Sequence, residues 1–413
     1  MSFRSLGVSD SLLRAVESHH YTTPTPIQWA AIPVVLQGGD LWACAPTGSG
    51  KSDAFIFPML QILSSGTRER GRAVRALILV PTRELAVQIG KGIQQSLPFL
   101  TDPLKTLVVY GGVSINPQMI ALGGGADILV ATPGRLLDLI DHNALSLSKL
   151  SILILDEADR LLELGFAQEL NRILALIPKS RQSLLFSATF PPHVQTLAET
   201  FLQNPTRINI TAESSSKPEI EQRAIEVDSF RRTQLLRELL RDPHWSTVLV
   251  FVATQYATEH IANKLRKLGV SALALHGELS QSARMKALSD FKEEKIQVLV
   301  ATDLAARGID IERLPVVVNF DLPRSPVDYI HRIGRTGRAG EKGIAINFVS
   351  TESDAHFRLI EKRNRLQIPR EQIPGFEPTV FIVTPASTGG IKGRRLSKKD
   401  KLRAKGLLPP LSS

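Results

Sequence analysis

Glycines, a lysine and a hydroxyl group follow one another between Ala45 and Ser52, where the chain reads Ala-Pro-Thr-Gly-Ser-Gly-Lys-Ser after a short apolar run. Gly48 and Gly50 allow backbone N–H groups to close around phosphate oxygens, and Lys51 adds a cation. The Ser52 hydroxyl can ligate Mg²⁺. The spacing predicts a phosphate-binding loop that comprises Pro46, Thr47, Gly48, Ser49, Gly50, Lys51 and Ser52.

Two adjacent carboxylates, Asp156 and Glu157, follow the apolar run Ile152–Leu155. Carboxylates at the end of a buried strand cost free energy unless a cation compensates them. With a phosphate loop upstream, we interpret Asp156 as a water-mediated ligand of Mg²⁺ and Glu157 as the group that positions and polarises the attacking water. A solvated acidic helix start, favoured by the helix dipole, is the alternative for this tetrapeptide alone. Together the two motifs predict a nucleoside triphosphatase.

Both motifs stand directly after short apolar runs, and such runs alternate along the chain with segments of helical period. This alternation is typical of βαβ units that build a parallel sheet. Ligands bind beyond the carboxyl ends of the strands in such sheets, which is where both motifs lie. The predicted strands are Leu41–Ala45, Ala76–Val80, Leu107–Tyr110, Ile128–Ala131, Ile152–Leu155 and Leu184–Phe186, then Val248–Val252, Ala272–Leu275, Val298–Ala301, Val316–Phe320 and Ile344–Val349.

The segment Thr211–Lys217 shows neither the strand nor the helix period, so we expect an exposed linker there. After Pro374 the pattern decays into Pro, Gly, Ser and basic residues, which predicts a solvated tail. The fold class is therefore α/β, with two parallel-sheet domains in tandem. The expected boundaries are 1–210 for the first domain, 211–218 for the linker, 219–374 for the second domain and 375–413 for a basic, disordered tail.

The composition is that of a globular protein, with 43% hydrophobic and 22% charged residues among 413, which excludes wholesale disorder. Cys44 is the single cysteine, which excludes an internal disulfide framework and a cysteine-based zinc site and fits a reducing compartment. No apolar run approaches the roughly 18 residues of a membrane span, and Met1 to Asp10 lack the layout of a secretion signal. We expect a cytoplasmic protein with no membrane association.

From Asp156 to Asp159 the sequence reads Asp-Glu-Ala-Asp, and with the phosphate loop upstream it resembles the DEAD-box RNA helicases of helicase superfamily 2. The resemblance runs from about Phe3 to about Pro374, with a dozen motifs in the family's order. Residues Arg358–Pro378, including Ile373–Pro378, look most like the bacterial RhlE-type branch. The further motifs are Thr23–Gln28, Pro81–Leu85, Gly111–Gly112, Thr132–Arg135, Ser187–Thr189, Val250–Val252, Gln281–Arg284, Ala301–Asp310 and His331–Arg338.

The resemblance implies two tandem RecA-like domains and roles for five residues around the nucleotide. Gln28 would select ATP, because an amide can both donate to and accept from an adenine edge, and Tyr21 would stack on the base. Asp310 would accept a hydrogen bond from the ribose. Arg335 and Arg338 would act as arginine fingers on the transition-state charge. Since these arginines belong to the second domain, hydrolysis would depend on closure of the two domains.

RNA would bind across both domains opposite the nucleotide, mainly through phosphates and 2′-hydroxyls, so that binding ignores base sequence. For Arg83 and Arg135, a salt bridge to Glu84 or Asp138 is the competing interpretation. The RNA-binding residues implied by the motifs are Pro81, Thr82, Arg83, Gly112, Thr132, Gly134 and Arg135 in the first domain and Gly277, Arg284, Thr302 and Asp303 in the second, while Ser187 and Thr189 would couple the two ligand sites through hydrogen bonds to the acidic motif.

Three residues near the nucleotide motifs depart from the family's common pattern. Ser52 stands where Thr is usual and keeps the hydroxyl group for Mg²⁺. Asp53 replaces a usual Ala and adds negative charge near the nucleotide, so we expect weaker ATP binding. His20 stands where Gly commonly precedes Tyr21, which weakens the prediction that Tyr21 stacks on the base.

These features predict an ATP-dependent RNA helicase that hydrolyses ATP to ADP and phosphate and locally unwinds short RNA duplexes or remodels RNA–protein complexes. Two alternatives stay open: an ATP-gated RNA clamp with little unwinding, and a superfamily 2 DNA helicase. The expected cofactors are ATP and Mg²⁺. The expected partners are single-stranded RNA and short duplexes, bound without sequence preference, and ribonucleoprotein or RNA-decay proteins are further candidates.

The formal net charge of +10 is concentrated at the end of the chain. Residues 1–211 carry a net charge of +1 and residues 212–390 a net charge of +2. Residues 391–413 carry eight Lys and Arg residues against Asp400 alone, a net charge of +7. We expect this tail to tether RNA non-specifically, with a steep salt dependence, while the body of the protein performs the chemistry.

Overall fold

The computed structural model describes residues 2–46, 48–65, 73–102, 104–210, 220–306, 314–337 and 342–379. Its strands form two separate seven-stranded sheets, one from each half of the chain, and every strand pairing in them is parallel. The first sheet comprises β1 (Leu41–Cys44), β2 (Ala76–Leu79), β3 (Thr106–Val109), β4 (Ile128–Ala131), β5 (Ile152–Leu155), β6 (Gln182–Ser187) and β7 (Thr206–Asn209).

The two sheets share one topology. The first has the strand order β3-β4-β2-β5-β6-β1-β7, and adding seven to each number gives the order of the second, β10-β11-β9-β12-β13-β8-β14. The second sheet comprises β8 (Ile220–Glu226), β9 (Val248–Val252), β10 (Ala272–Leu275), β11 (Val298–Thr302), β12 (Val316–Asn319), β13 (Gly343–Val349) and β14 (Arg370–Glu371).

Helices connect the strands, and several begin at the capping residues that the sequence supplies. Thr25, Thr82, Thr254, Ser280 and Ser325 each accept a hydrogen bond from a backbone N–H of the first turn that follows. The helices are α1 (Asp10–Ser18), α2 (Pro26–Leu36), α3 (Lys51–Ser65), α4 (Arg83–Ser96), α5 (Asn116–Gly123), α6 (Pro133–Asp141), α7 (Ala158–Glu163), α8 (Ala167–Leu176), α9 (Pro192–Phe201), α10 (Arg232–Leu239), α11 (Gln255–Lys267), α12 (Gln281–Lys292), α13 (Asp303–Ala306), α14 (Pro326–Ile333) and α15 (Asp354–Asn364), with 3-10 helices at Phe3–Leu6 and Leu97–Phe99.

Helices cover both faces of the first sheet, which explains why its central strands are apolar throughout. Strand β2 is buried along its whole length, and its side chains divide between two cores. Ile78 packs into one core, whereas Leu77 and Leu79 pack into the core on the opposite face. Successive side chains of a strand point to opposite faces, so a strand buried on both faces has no position for a polar residue. The continuous apolar run is therefore the expected signal.

The structure confirms the eleven predicted strands, with the same bounds for Ile128–Ala131, Ile152–Leu155, Val248–Val252 and Ala272–Leu275. It adds β7, β8 and β14, which were not predicted because their polar residues interrupt the apolar pattern. The second domain also extends beyond the predicted boundary at 374. Phe376 packs against the core of that domain, and Thr379 donates to Asp228 through its backbone N–H and its hydroxyl. The predicted linker and the tail from 380 onward lie outside the described residues. Within the described part of the chain, no helix combines the length and the apolar character that a membrane span requires.

Candidate ATPase and RNA-binding site

The order of the first sheet separates the predicted nucleotide motifs from the predicted RNA motifs. The phosphate loop, the acidic motif and the Ser187–Thr189 motif follow β1, β5 and β6, which are neighbours in the order β5-β6-β1. The motifs that contain Arg83, Gly112 and Arg135 follow β2, β3 and β4, which are neighbours in the order β3-β4-β2. Because carboxyl ends of parallel strands meet at one edge of the sheet, this edge has one half for each ligand.

The phosphate loop runs from β1 into the first turn of α3. Gly48 and Gly50 have φ angles of 72° and 87°, in the left-handed region that glycine tolerates without strain. The ammonium group of Lys51 is buried and donates to the Ala45 carbonyl at 2.9 Å. The Ser49 hydroxyl is also buried and has no hydrogen-bond partner among the residues that the structure describes, which suits a group that binds a phosphate oxygen. Thr47 lies outside the described residues.

Gln28 connects helix α2 to this loop. Its side-chain oxygen accepts from the Thr25 backbone N–H at 3.0 Å, in a capping box with Thr25. Its amide nitrogen donates to the Gly50 carbonyl at 3.2 Å, and a Cβ atom at Gly50 would lie only 2.6 Å from that nitrogen. The side chain is 3% exposed. The amide oxygen therefore caps α2 and the amide nitrogen holds the phosphate loop, and recognition of adenine by Gln28 remains a prediction.

Tyr21 lies between α1 and α2 with its ring 40% exposed. The ring stacks on His19, with centroids 5.7 Å apart and planes 30° apart. Burial raises the pKa of Asp53, in the first turn of α3, and the Tyr21 hydroxyl and the charge of His19 oppose that rise. His20 has a φ of 59°. That left-handed backbone explains why glycine is common at this position, and it shows that His20 still permits the turn.

The acidic motif begins where β5 ends. Asp156 is 3% exposed, and its carboxylate accepts from the Glu157 backbone N–H at 2.9 Å. Burial raises the pKa of Asp156 to about 7, the Lys51 ammonium lowers it, and the Glu157 charge raises it further. Glu157 itself has a φ of 51°, a left-handed conformation uncommon for residues other than glycine, which breaks the extended backbone that ends with β5 at Leu155. Burial also raises the pKa of Glu157, while Lys51 and then Arg335 oppose that rise.

The donor set at this edge of the sheet suits Mg²⁺. Asp156 supplies a carboxylate whose raised pKa shows that ionisation needs a compensating cation, and Ser52 supplies a hydroxyl group at the start of α3. Mg²⁺ is usually held by one or two carboxylates, with waters and phosphate oxygens completing its octahedron. The residues present therefore fit the ion.

Ser187 and Thr189 form the predicted hydrogen bonds to the acidic motif, through Asp159. The Asp159 carboxylate accepts from the Thr189 N–H at 2.9 Å and from the Thr189 hydroxyl at 2.8 Å. The Asp159 N–H donates to the Ser187 hydroxyl at 3.2 Å, and that hydroxyl donates to the Thr189 carbonyl at 2.7 Å. Asp159 is buried, so its carboxylate depends on these partners. Sequence reasoning singled out the motif but gave Asp159 no role.

The second domain lies against this site. Arg335 is 9% exposed, and its positive charge opposes the rise in the pKa of Glu157. Burial lowers the pKa of His331, Asp159 opposes that shift, and the positive charges of Arg160 and Arg335 increase it. Charges of one domain therefore act on titratable groups of the other. Arg338 and Asp310 lie outside the described residues.

One buried ion pair joins the domains directly on the predicted RNA side. Arg284, at the start of α12, lies 2.8 Å from the Glu84 carboxylate at the start of α4, and the side chains are 9% and 7% exposed. Arg284 was predicted to contact RNA, but the structure directs its guanidinium to Glu84 and to the His276 carbonyl at 3.4 Å. Pairing of Glu84 with Arg284 also replaces the competing interpretation of a pair between Glu84 and Arg83.

In the first domain, Arg83 and Arg135 follow β2 and β4. The Arg83 guanidinium lies against Gly112, where an added Cβ atom would displace it, and Gly112 has a φ of 75°, which is strained for other residues. Arg135 donates to the Val113 carbonyl at 2.8 Å, and its Nε lies 3.4 Å from Asp138. The salt bridge between Arg135 and Asp138, which was the competing interpretation for Arg135, is therefore present in the structure. Of the remaining predicted RNA contacts, Pro81 and Thr132 are buried at strand ends, Thr82 caps α4, and Gly134 lies in the first turn of α6.

In the second domain, Asp303 anchors another side chain. It accepts from Arg332 twice, at 2.5 Å and 2.7 Å, and Arg332 also donates to Asn319 at 2.9 Å. Arg332 is 2% exposed, so this network fixes the helix that precedes Arg335. The role of Arg332 could not be predicted from the sequence, because its partners lie 29 and 13 residues away along the chain. Thr302 is 9% exposed and accepts from the Ala305 N–H at 3.4 Å, and Gly277 follows β10.

The chain matches two family models, one described as DEAD/DEAH box helicase over residues 25–197 and one as helicase conserved C-terminal domain over residues 231–340. It is 40% identical over 373 residues to the DEAD-box ATP-dependent RNA helicase CshA of Bacillus cereus, covering 90% of this chain and 70% of the relative. It is 41% identical to the ATP-dependent rRNA helicase rrp3 of Emericella nidulans, covering 92% of this chain and 81% of the relative.

Solved structures agree with these matches. Dbp5 of S. cerevisiae, bound to RNA and ADP BeF3, superposes with a TM-score of 0.79 at 31% identity, covering 90% of this chain and 95% of that one. The two sheets of the present structure therefore form tandem RecA-like domains. The chain belongs to the DEAD/DEAH box helicase family, as an ATP-dependent RNA helicase.

Proposed function

We propose that this helicase hydrolyses ATP only when its second domain closes on the first and supplies Arg335 to the acidic motif. The observation that carries the proposal is the buried ion pair of Glu84 and Arg284, because it joins the two domains directly. The positive charge of Arg335 in the second domain, which opposes the rise in the pKa of Glu157 in the first, supports it. A catalytic set divided in this way is complete only in the closed form.

The position of each residue in the nucleotide site suggests its role in ATP hydrolysis. Lys51 and the N–H groups of the phosphate loop bind the phosphates, and Glu157 accepts the proton of the attacking water that it orients. Ser52 and Asp156 would hold Mg²⁺, which when bound neutralises charge on the phosphates. Arg335, and by motif Arg338, stabilises the charge that develops in the transition state. Gln28 and Tyr21 would recognise the adenine, and Asp310 the ribose, in line with the family resemblance.

RNA is proposed to lie along the half of the sheet edge that follows β3, β4 and β2, and across to the corresponding half of the second domain. Arg83, Arg135 and the helix N-termini at Thr82 and Pro133 would contact phosphates, which carry no base information. Asp159, held by Ser187 and Thr189, follows β5, the strand of the nucleotide half that pairs with β2 of the RNA half, and would transmit closure from one ligand to the other. Closure on RNA would bend one strand and separate a short duplex locally.

The finer assignments are also proposals. The sequence of Arg358–Pro378, including Ile373–Pro378, supports a place in the RhlE-type branch. The single cysteine supports a reducing, cytoplasmic compartment. The basic tail supports tethering to RNA in ribonucleoprotein or RNA-decay assemblies.

A strand-displacement assay tests the function. The protein is incubated with ATP, Mg²⁺ and short duplexes of RNA or of DNA, and ATP hydrolysis is followed in parallel. We expect RNA to stimulate hydrolysis and short RNA duplexes to separate, with Glu157→Gln inactive in both assays. Hydrolysis without displacement would favour the ATP-gated clamp, and equal stimulation by DNA would favour the DNA helicase.

A further inference from the structure

Two buried asparagines interrupt the apolar core of the second sheet. Asn319 ends β12, Asn347 lies within β13, and the two are register partners in these neighbouring strands. Both side chains are 0% exposed, and the other residues of β12 and β13 are apolar or glycine. A buried amide costs free energy unless hydrogen bonds satisfy it, so this pair needs polar partners. One bond joins the two, since the Asn319 amide nitrogen donates to the Asn347 side-chain oxygen at 2.8 Å.

The asparagine pair also binds helix α14 at two points. The Asn319 side-chain oxygen accepts from Arg332 at 2.9 Å. The Asn347 amide nitrogen donates to the Tyr329 hydroxyl at 3.2 Å, and that hydroxyl donates to Gln222 of β8 at 2.8 Å. Tyr329 and Arg332 are three residues apart, so they lie on the same face of the helix. Three neighbouring strands therefore hold one face of α14 through a single connected network.

Helix α14 leads directly to Arg335. The helix ends at Ile333, and the Arg335 backbone N–H donates to the Arg332 carbonyl at 3.2 Å. The Arg335 carbonyl accepts from the Leu314 N–H at 3.1 Å. Arg332 is thus bonded to the sheet through its side chain and to Arg335 through its backbone. A shift of Arg332 would move the backbone from which the Arg335 side chain extends.

We propose that Asn319 is a positioning residue for Arg335: by holding Arg332 against the sheet, it sets where the Arg335 guanidinium lies when the domains close. The inference rests on the role of Arg335 given under Proposed function. Asp303, another partner of Arg332, lies in the four-residue helix α13, whereas Asn319 ties Arg332 to the middle strand of the sheet. A misplacement of about 1 Å can cost about 10²-fold in rate, so a rigid anchor matters to catalysis.

The test measures kcat and the KM for ATP at saturating RNA on the full chain. Asn319→Leu keeps the approximate size of the side chain and removes both of its hydrogen-bonding groups. We expect kcat to fall about 10-fold or more while the KM for ATP stays within about twofold, because ATP binds to motifs of the first domain. Asn319→Asp keeps an acceptor for Arg332 and should hold kcat within about threefold of the unsubstituted protein.

A double variant tests whether Asn319 acts through Arg335. In the background of Arg335→Ala, Asn319→Leu should cause no further loss of rate, because the side chain that it positions is already absent. Single-turnover conditions with excess enzyme resolve the slow rates of these variants.

Val318→Ala is the matched control for a structural effect. Val318 precedes Asn319 in β12, is also 0% exposed, and packs into the core on the opposite face of the sheet. The substitution should lower the urea midpoint of unfolding and leave kcat within about twofold.

Four results would each overturn the inference: an unchanged kcat in Asn319→Leu, an equal fall in Asn319→Asp, an equal fall in Val318→Ala, or effects that multiply in the double variant with Arg335→Ala. Should Asn319→Leu fold poorly, Tyr329→Phe decides, because it removes only the hydroxyl that supports Asn347. We expect this variant to lose about threefold in kcat, and an unchanged kcat would overturn the inference as well.

Arg335→Ala separates this inference from the function on which it rests. If Arg335→Ala keeps its full rate, the role of Arg335 is wrong. If Arg335→Ala loses its rate and Asn319→Leu does not, the role of Arg335 stands and positioning by Asn319 is wrong.

Discussion

Replacing Glu84 by Gln should weaken closure of the two domains without unfolding either of them. The substitution leaves Arg284 as an unpaired charge at a site where its side chain is 9% exposed. Removing one partner of a buried ion pair costs about 3–5 kcal/mol when the remaining charge stays buried. In the open form, Arg284 can be solvated by water, so the substitution destabilises only the closed form. Because Gln retains an oxygen that can accept a hydrogen bond from Arg284, this loss of stability should be smaller than about 3–5 kcal/mol.

We take this loss as about 2 kcal/mol, which lowers the ratio of closed to open molecules about 30-fold. Since hydrolysis needs the closed form, the apparent KM for RNA in the stimulated ATPase should rise by up to that factor. The melting temperature should change little. Asp141→Asn is the matched control, because Asp141 and Arg172 form an ion pair within the first domain whose side chains are 48% and 55% exposed.

The assay also decides between the two roles of Arg284. If Arg284 contacts RNA phosphates, as the motif implies, Glu84 masks it, and Glu84→Gln should tighten RNA binding and stimulate hydrolysis. If the ion pair acts as a clasp between the domains, Glu84→Gln and Arg284→Met should each weaken both RNA binding and RNA-stimulated hydrolysis. The double variant should then be no weaker in these two measurements than either single variant. Tighter RNA binding by Glu84→Gln would refute the clasp.

Three further predictions concern other parts of the chain. The folded-state pKa of about 7 for Asp156 lies above its ordinary 3.8, so the ionised carboxylate destabilises the nucleotide-free protein progressively as the pH rises between those values. Asp156→Asn should therefore raise the free energy of unfolding in EDTA more at pH 8, by about 4 kcal/mol at most, than at pH 5; an equal gain at both pH values would contradict this. Asp303→Ala should destabilise the second domain to urea by about 3 kcal/mol, because it strips Arg332 of its bidentate partner; unchanged stability with weaker RNA binding would mark Asp303 as an RNA contact instead. Truncation after Gly390 removes eight basic residues and should weaken RNA binding at low salt and flatten its salt dependence, with the maximal ATPase rate kept; unchanged affinity at low salt would refute the tether.

Strands buried on both faces could be predicted closely from the sequence. Ile152–Leu155 was predicted with the bounds that the structure has, because helices cover both faces and every side chain must be apolar. Strand β8 was missed for the opposite reason. Its residues include Glu221, Gln222 and Arg223, and most of its side chains are only partly buried beside the short edge strand β14. Apolar pattern carries no signal for such a strand, although the shared topology of the two sheets requires it.

The site was predictable where neighbours in sequence do the chemistry, and less so where partners come from afar. The phosphate loop follows from one contiguous motif, whereas the bonds of Ser187 and Thr189 to Asp159 span 28 and 30 residues and were implied by the family resemblance. The partners of Arg284 and Arg332 were missed because no motif pairs them: Glu84 belongs to the other domain, and Asp303 lies 29 residues before Arg332. A sequence motif does not distinguish an arginine that is free to bind RNA from one that is paired with a carboxylate of the protein. Only the packing of the folded chain shows which of the two applies.

The central claim is that Arg335 completes the ATPase site of the first domain upon closure. The most direct measurement is the ATPase rate of Arg335→Ala at saturating ATP and RNA, with Arg335→Lys alongside to separate charge from geometry. We expect Arg335→Ala to lose about 10³-fold or more in kcat while binding nucleotide and RNA almost normally, in keeping with the contribution of arginine fingers. An undiminished RNA-stimulated rate in Arg335→Ala would contradict the closure mechanism.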